Sequence, residues 1–558
     1  MTTKYIFVAG GVLSGVGKGT VTASLGALLQ SKGFRVTAMK IDPYINVDAG
    51  TMNPTEHGEV FVTDDGDETD QDIGNYERFL GQNLGKGNYM TTGRVYLSVI
   101  ERERALGYKG KCVEVVPHIP EEVLRRIHAC ATLRRAEVVL IEVGGTVGEY
   151  QNVLFLEAAR LLKQQRPEDV ITLLVSYLPI PGHIGEMKTK PTQHATKQLQ
   201  AAGIQPDFII ARGSQPLDTV RRKKLAMFCN VQADDVIAAP DVPSIYHVPI
   251  NFERDHLGER VLRKLGLKPR RSDLRQWKTM VRASERTYPP VRIAIAGKYF
   301  SVGDFVLSDV YFSVIEAVKH AAWTAKRTPV LEWINTEVYE DDARAVKELD
   351  QFDGVIVPGG FGTRGVEGKI RAIRYVREHG IPYLGICYGM QLACVEYARN
   401  VLGLRDAHTT EVVERTHDPI IAVMEDQEQQ LASGAYGGTM RLGSYDCRIA
   451  TGTRAARAYR DTSRVTRTYA KGDLLISERH RHRYEFNNQY RGAFAEAGMV
   501  FSGMNPQRDL VEIIELPARS HPYFVAAQFH PEFKSRPLDP QPLFLGLLRA
   551  AAKRNTRS

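Results

Sequence analysis

Cys387 stands in Gly385-Ile386-Cys387-Tyr388-Gly389, between the apolar run IPYL and the helix-like stretch MQLACVEYAR. This is a G-x-C-x-G turn. Small residues two positions to either side let the chain tighten and lift the middle side chain to the start of a helix. A helix N-terminus favours thiolate over thiol. The backbone N–H that follows is placed to hold an oxyanion. A cysteine nucleophile needs a base, and the base needs an orienting group. Gln528-Phe529-His530-Pro531-Glu532 offers both, with His530 as base and Glu532 fixing its tautomer. The chemistry expected is attack on an acyl carbon. A buried, inert cysteine is the alternative, and it suits Cys394, inside the helix, far better.

A second cluster points to phosphate. Residues 10–20 read GGVLSGVGKGT, after the apolar run YIFVA and before a helical stretch. Glycines let backbone N–H groups wrap a phosphate, and Lys18 reaches its outer oxygens. The standard GxxxxGK[ST] loop would need Gly at Val12 and Ser or Thr at Gly19, so this loop is a deviant one. An ordinary glycine-rich turn is the alternative. Phosphoryl chemistry also needs carboxylates for Mg²⁺. Glu142 ends the apolar run VVLIE, and Asp72 lies in the acidic run DDGDETDQD, most of which reads equally well as a solvated loop.

Two further patterns resemble sites. Gly360-Phe361-Gly362-Thr363-Arg364-Gly365 matches G-x-G-x-x-G, but the position for a ribose-binding acid about 20 residues on is taken by the Cys387 turn. The loop reads better as the other half of an oxyanion hole, with Gly360 donating its N–H. In RHRHRYE, a strand puts His480 and His482 on one face and Arg479, Arg481 and Arg483 on the other. Nothing nearby completes a metal set, which favours an arginine that clamps a carboxylate.

The elements that must position these groups alternate regularly. KYIFVAGG, FRVTAMKI, AEVVLIEVGG, VITLLVSYL and PDFIIAR read as buried strands, with helices such as TVTASLGALLQSKG and NVLFLEAARLLKQQ between them. That is a mainly parallel α/β sheet. From 267 to 290 the chain turns basic and polar and ends in Pro-Pro, a linker with some helix. The alternation then restarts with VRIAIAGKY, TPVLEWI, FDGVIVPGG and IPYLGICYG, giving a second α/β domain. The expected boundaries are 1–267, 268–290 and 291–558. The stretch from Arg454 to Lys471 carries six basic residues at spacings of three and four, one cationic stripe if helical and a solvated face by default.

The chain has 558 residues, 43% hydrophobic and 25% charged, which excludes a wholly disordered chain. No apolar run approaches the ~18 residues of a membrane span. The N-terminus lacks the layout of a secretory signal, so a cytoplasmic location is expected. The net charge of +8 fits nucleic acid and small anionic substrates equally well. The six cysteines form no CxxC pair, so disulfides and structural zinc are not expected.

With these residues in view, the chain from Tyr5 to Phe544 resembles the CTP synthase family. The resemblance rests on GGVLSGVGKG, MKIDPYINVDAGTMNPTEHGEVFVTDDGDETDQDIGNYERF, EVGGTVGEYQ, GEMKTKPTQH, VPGGFGTRGVEG, LGICYGMQ, GGTMRLG, ERHRHRYE and QFHPE. It implies an N-terminal P-loop-type amidoligase domain joined to a C-terminal class I glutamine amidotransferase domain. The implied reaction makes CTP from UTP, ATP and L-glutamine, through UTP phosphorylated at O4 and a cysteine thioester, with ammonia passing along a covered path.

The resemblance also implies roles. ATP falls to Gly15, Val16, Gly17, Lys18, Gly19, Thr20 and Asp72, with Pro240, Asp241 and Val242 on the adenine side. Mg²⁺ falls to Asp72 and Glu142. UTP, and CTP as feedback inhibitor, fall to Ser14, Lys40, Glu149, Tyr150, Gln151, Lys188, Thr189, Lys190, Pro191, Thr192, Gln193 and Lys224. Glutamine falls to Gly360, Tyr388, Gly389, Met390, Gln391, Glu411 and Arg483, and the triad is Cys387, His530 and Glu532. GTP is implied as allosteric activator, with Thr439 and Arg441 of GGTMRLG expected near the mouth of the glutamine site; a structural salt bridge is the alternative for Arg441. A homotetramer able to form filaments is implied, with no nucleic acid and no membrane. Gly15 and Val16 replace the family's commoner Ser-Leu, and Gln151 stands where many members have Glu, which bears on CTP inhibition. A P-loop amidotransferase that activates a carboxylate, and a scaffold with a dead glutaminase, are the competing readings.

Overall fold

A computed structural model describes all residues except 1, 54–57, 184, 298–300, 303–304, 307, 424–439 and 556–558. The chain divides into two compact units. One comprises Met1–Ala49 and Asp72–Val281, the other Gly50–Gln71 and Arg282–Ser558. The segment 50–71, which in sequence lies within the first half, thus packs as part of the second unit.

The first unit is built on seven parallel strands: β1 (Lys4–Gly11), β2 (Val36–Asp42), β3 (Tyr89–Thr91), β4 (Val138–Val143), β5 (Val170–Tyr177), β6 (Phe208–Gly213) and β7 (Val236–Pro240). Their order is β3-β2-β4-β1-β5-β6-β7. β2 and β4 are buried at every position, as expected of a parallel sheet covered by helices on both faces. The expected apolar runs form strands within a residue or two; β3 and β7 are additions, too short or too mixed to stand out. Helix Arg275–Glu285 lies in the basic stretch after Leu267. It is amphipathic, and it seats Trp277 against Tyr246 and Phe79, with the indole N–H donating to the Tyr246 carbonyl at 2.8 Å.

The second unit carries a ten-stranded mixed sheet: β8 (Pro290–Gly297), β9 (Thr328–Asn335), β10 (Gly354–Val357), β11 (Tyr383–Ile386), β12 (Arg441–Ile449), β13 (Val465–Thr468), β14 (Leu474–His482), β15 (Val500–Met504), β16 (Val511–Glu515) and β17 (Phe524–Ala527). The order is β9-β8-β10-β11-β17-β16-β15-β12-β14-β13. It is parallel from β9 to β17 and antiparallel beyond. Apolar clusters fill both faces of the parallel part.

The Arg454–Lys471 stretch is not one helix with a cationic stripe; Arg457, Arg460, Arg467 and Lys471 are exposed, as the solvated reading expects. The stretch is a short helix, Arg454–Tyr459, followed by β13. Arg454 turns inward to the carbonyls of Leu516, His521 and Pro522, and Arg464 to those of Lys534 and Asp539. Buried Ala455, Ala456 and Tyr459 hold the helix to the core, and the chain must then leave to pair with β14.

Candidate functional site

In each unit the candidate residues collect at the carboxyl ends of parallel strands, where open α/β sheets bind ligands. In the first unit, β1 runs into the glycine loop, and positive φ at Val12, Gly15 and Gly17 bends it into a cradle. Ser14 and Gly15 are exposed at its tip, and Val16 is buried. Lys18 begins the helix Lys18–Ser31 and donates to the Gly145 carbonyl at 2.9 Å. Gly19 has no Cβ because the Asp72 carboxylate lies against it.

Four charged side chains meet behind this loop. Lys40, near the end of β2, is hydrogen-bonded to Asp72 and, at 2.9 Å, to Glu142; Asp42 lies 3.8 Å away. Tyr76 donates to Glu142 from the helix Gln71–Leu80. Burial pushes the carboxyls of Glu142 and Asp42 up, Asp42 to about 6. It pushes Lys18 down. Burial would raise Asp72 too, but the Lys40 charge beside it holds it below the usual range. The group sets buried carboxylates and ammonium groups side by side at the loop.

On the other side of the loop lies a cavity of about 220 Å³ lined by Gly17, Thr20, Pro240, Asp241, Val242 and apolar neighbours including Ile245, Val248 and Phe252. Its apolar walls suit a flat base. Arg212, not singled out in the sequence, joins its parts by donating to the carbonyls of Val16 at 3.2 Å and Ala239 at 2.8 Å, and to Asp241 at 3.0 Å. The available signal was the one used for Glu142, a charged residue ending an apolar strand.

Of the residues that the resemblance assigns to UTP and CTP, Glu149–Gln151 lie on the turn after β4, Lys188–Gln193 around the start of the helix Lys190–Ala201, and Lys224 on the helix Thr219–Cys229. Tyr150 and Gln151 are exposed, and Glu149 accepts from the Thr146 hydroxyl. Thr189, Thr192 and Gln193 are buried, with Ser176 bonded to Thr192 at 2.8 Å and Gln193 donating to Thr189 at 3.1 Å. Pro191 sits in the first turn of that helix. Lys188 pairs with Glu186 at 2.6 Å, Lys190 lies over the Phe228 ring, and Lys224 is exposed.

In the second unit Cys387 has φ 51° and ψ −101°, a strained conformation for a residue with a Cβ. Its N–H donates to Ala527 at 2.7 Å across the β11–β17 pairing. A Cβ on Gly389 would overlap the Val357 carbonyl, and one on Gly385 would come 2.8 Å from the Ala526 methyl. Both glycines of the elbow are therefore required. His530 Nδ1 lies 2.8 Å from Glu532, and its Nε2 is buried without a hydrogen-bond partner among the described residues. Burial would lower the His530 pKa, but the charges of Glu532 and Cys387 raise it to about 10. The imidazole of His530 is thus protonated at neutral pH. Gln528 Nε2, also missed in the sequence, lies 3.7 Å from the Cys387 sulfur.

These groups open on a cavity of about 750 Å³ whose lining includes Gly360, Gln391, Glu411 and Arg483. Glu411 accepts from the Gly362 N–H at 2.7 Å, and Gln391 donates to the Tyr484 carbonyl at 2.9 Å. Tyr388 donates to Gly362 at 2.9 Å, while Met390 points into the core. The rest of the lining includes Gly50, Thr51, Met52, Asn53, Glu59 and Val60. That contribution has no periodic or compositional signal in the sequence.

Arg441 does not line this cavity, although its neighbour Met440 does. Arg441 is fully buried and pairs with Glu485 at 3.0 Å and Glu512 at 2.7 Å, so the structural salt bridge holds. Thr439 lies outside the described residues. Gly443 of the same motif, at φ 93°, lies against the turn at Asp64 and Gly66. In β14 the expected alternation is present: His480 and His482 lie 2.9 Å apart on one face, and Arg479 and Arg481 on the other clamp Asp64 and Glu68. Among the described residues no group of three or more His, Cys, Asp or Glu is arranged to hold a metal alone.

The model of the CTP synthase N-terminus matches residues 4–267, and that of glutamine amidotransferase class-I matches residues 306–550. A CTP synthase of Caldanaerobacter subterraneus subsp. tengcongensis is 49% identical over 549 residues, 98% of each chain. One of Pyrococcus abyssi is 48% identical over 551 residues, again 98% of each. A solved structure, the Trypanosoma brucei CTPS glutaminase domain with bound acivicin, aligns at 36% identity and TM-score 0.41, covering 47% of this chain and 94% of that one. With 48–49% identity to those two CTP synthases over 98% of its length, the chain belongs to the CTP synthase family.

Proposed function

We propose that the chain divides its reaction, the glutamine-dependent conversion of UTP to CTP, between the two constellations. The observation that carries this reading is that each compact unit holds one of them entire: Lys18, Lys40, Asp72 and Glu142 in the first, Cys387, His530 and Glu532 in the second.

In the first, ATP lies with its base in the cavity beside Pro240–Val242 and its phosphates on the glycine loop. Its γ-phosphoryl passes to O4 of UTP and ADP leaves. Ammonia then attacks C4 and expels phosphate, giving CTP. Lys18 and Lys40 stabilise charge on the transferring group. Mg²⁺ fits here: Asp72 and Glu142 offer hard oxygen donors, Gly19 leaves the space Asp72 needs, and Asp42 Oδ2 is buried with no hydrogen-bond partner among the described residues. When bound, the ion supplies charge neutralisation at the phosphates.

In the second, the Cys387 thiolate attacks the glutamine amide carbon. His530 gives its proton to the leaving ammonia, a thioester remains, and water releases glutamate. The Gly360 and Tyr388 N–H groups are the oxyanion donors of this reading. The cavity of about 750 Å³ is far larger than glutamine, which supports a second ligand, GTP, as activator. CTP as feedback inhibitor takes the pyrimidine-side residues. A cytoplasmic homotetramer completes the reading. Exposed Val220, Met227 and Phe228, on the helix that carries Lys224, support a subunit contact there. No described helix is long and apolar enough to cross a membrane.

The test is an absorbance assay of CTP formed from UTP and ATP with either glutamine or ammonia, with and without GTP. Synthesis from both donors, with GTP stimulating only the glutamine reaction, is expected. Failure with ammonia in a folded protein would overturn the division into two sites.

A further inference from the structure

The hairpin between strands Phe61–Val62 and Glu68–Thr69 lies in the first half of the sequence but packs within the second unit. It converges on one residue there. Asp64 pairs with Arg479 at 2.7 Å and with Lys534 at 3.1 Å, and accepts from Ser444 at 2.7 Å. The Arg479 carbonyl accepts the His530 N–H at 2.7 Å. Lys534 ends the turn that carries His530 and Glu532, and its ammonium holds the Ser477 carbonyl at 2.8 Å. Phe61 meets Phe533 edge-on at 5.0 Å, and Phe533 stacks on the His530 ring at 5.1 Å. The hairpin therefore reaches His530 through its backbone, through its turn and through its ring face.

We infer that Asp64 and Phe61 are positioning residues for His530, so that the rate of glutamine hydrolysis depends on a hairpin encoded in the amidoligase half of the chain. Neither touches glutamine; both act through the residues that hold the imidazole. Burial would raise the Asp64 carboxyl, but Arg479 and Lys534 hold it well below the usual range, so it stays charged at working pH. A small misplacement of a catalytic base costs one to two powers of ten in rate, which sets the scale expected.

The inference rests on the reading of Cys387, His530 and Glu532 as the glutaminase triad. The experiment compares full-length Asp64→Asn, Phe61→Leu and Cys387→Ala with the parent, measuring kcat and KM for glutamine and the ratio of glutamine-dependent to ammonia-dependent CTP synthesis. Asp64→Asn and Phe61→Leu should each lower glutamine kcat about tenfold or more with KM within about twofold, and lower that ratio equally. A purely structural role would lower both nitrogen reactions together, and that result overturns the inference. So does an unchanged kcat while Cys387→Ala is dead to glutamine. Retained glutamine turnover in Cys387→Ala would instead overturn the triad itself. Should Asp64→Asn not fold, Lys534→Met probes the same contact from its other side, with the same loss of kcat expected and an unchanged kcat overturning the inference.

Discussion

A Cβ on Gly19 would overlap Oδ1 of Asp72, so the Ser or Thr of a standard P-loop could stand here only by displacing that carboxylate. The loop departs from the common pattern because a carboxylate from another helix occupies the space of that hydroxyl. Gly19→Ser should displace Asp72 and lower CTP synthesis with ammonia and with glutamine alike, by about a hundredfold. Glutamine hydrolysis without acceptor should persist. Parallel assays with the two nitrogen donors check this, and full ammonia-dependent synthesis would remove Asp72 from the catalytic cradle.

Lys18→Ala should likewise abolish synthesis from either donor and spare part of the glutaminase. Lys18 is buried at the loop and, among the described residues, bonded only to a carbonyl there, a contact a phosphate can replace. Initial rates with ammonia are the measurement.

Cys387→Ala should end glutamine-dependent synthesis and leave ammonia-dependent synthesis near the parent level. Trapping of a glutamyl thioester on the parent, and its loss in the variant, checks the chemistry directly.

The His530 imidazolium is held by Glu532 and Cys387 against burial, to about 10. Activity that needs this proton is present below that pH and is lost as pH rises through it. Removing an anion destabilises the cation, so Glu532→Gln should move this alkaline limb to lower pH. The pH dependence of glutamine kcat in both proteins is the test, and an unmoved limb would separate Glu532 from the titration.

Arg441→Ala should destabilise the second unit by about 3–5 kcal/mol, because it leaves Glu485 and Glu512 buried without their cation. Burial pushes these carboxyls to about 8 and about 7. Arg441 pulls both back down, so its removal raises them further; only the parent gains as the pair ionises, and the penalty should grow between pH 5 and pH 8. Denaturant unfolding at the two pH values measures it. A selective loss of GTP response at full stability would contradict this placement.

The sequence by itself determined the two α/β sheets, since runs such as VVLIE and PYLGI are apolar without alternation and only burial on both faces accounts for that. It also marked the elbow, because the G-x-C-x-G spacing sets small residues two positions to either side of Cys387. Local spacing marks residues whose geometry is local, and the loop from Gly10 to Thr20 and the His530–Glu532 turn are of that kind. Tertiary structure alone decided which unit owns residues 50–71. That hairpin is short and polar, and its partners Arg479 and Arg481 lie 415 and 413 residues away. It alone decided that Arg441 is an internal strut, because the two carboxylates that neutralise it come from separate strands 44 and 71 residues on. A charged residue looks the same in sequence whether water or a distant carboxylate solvates it, and only the folded chain brings the carboxylate to it.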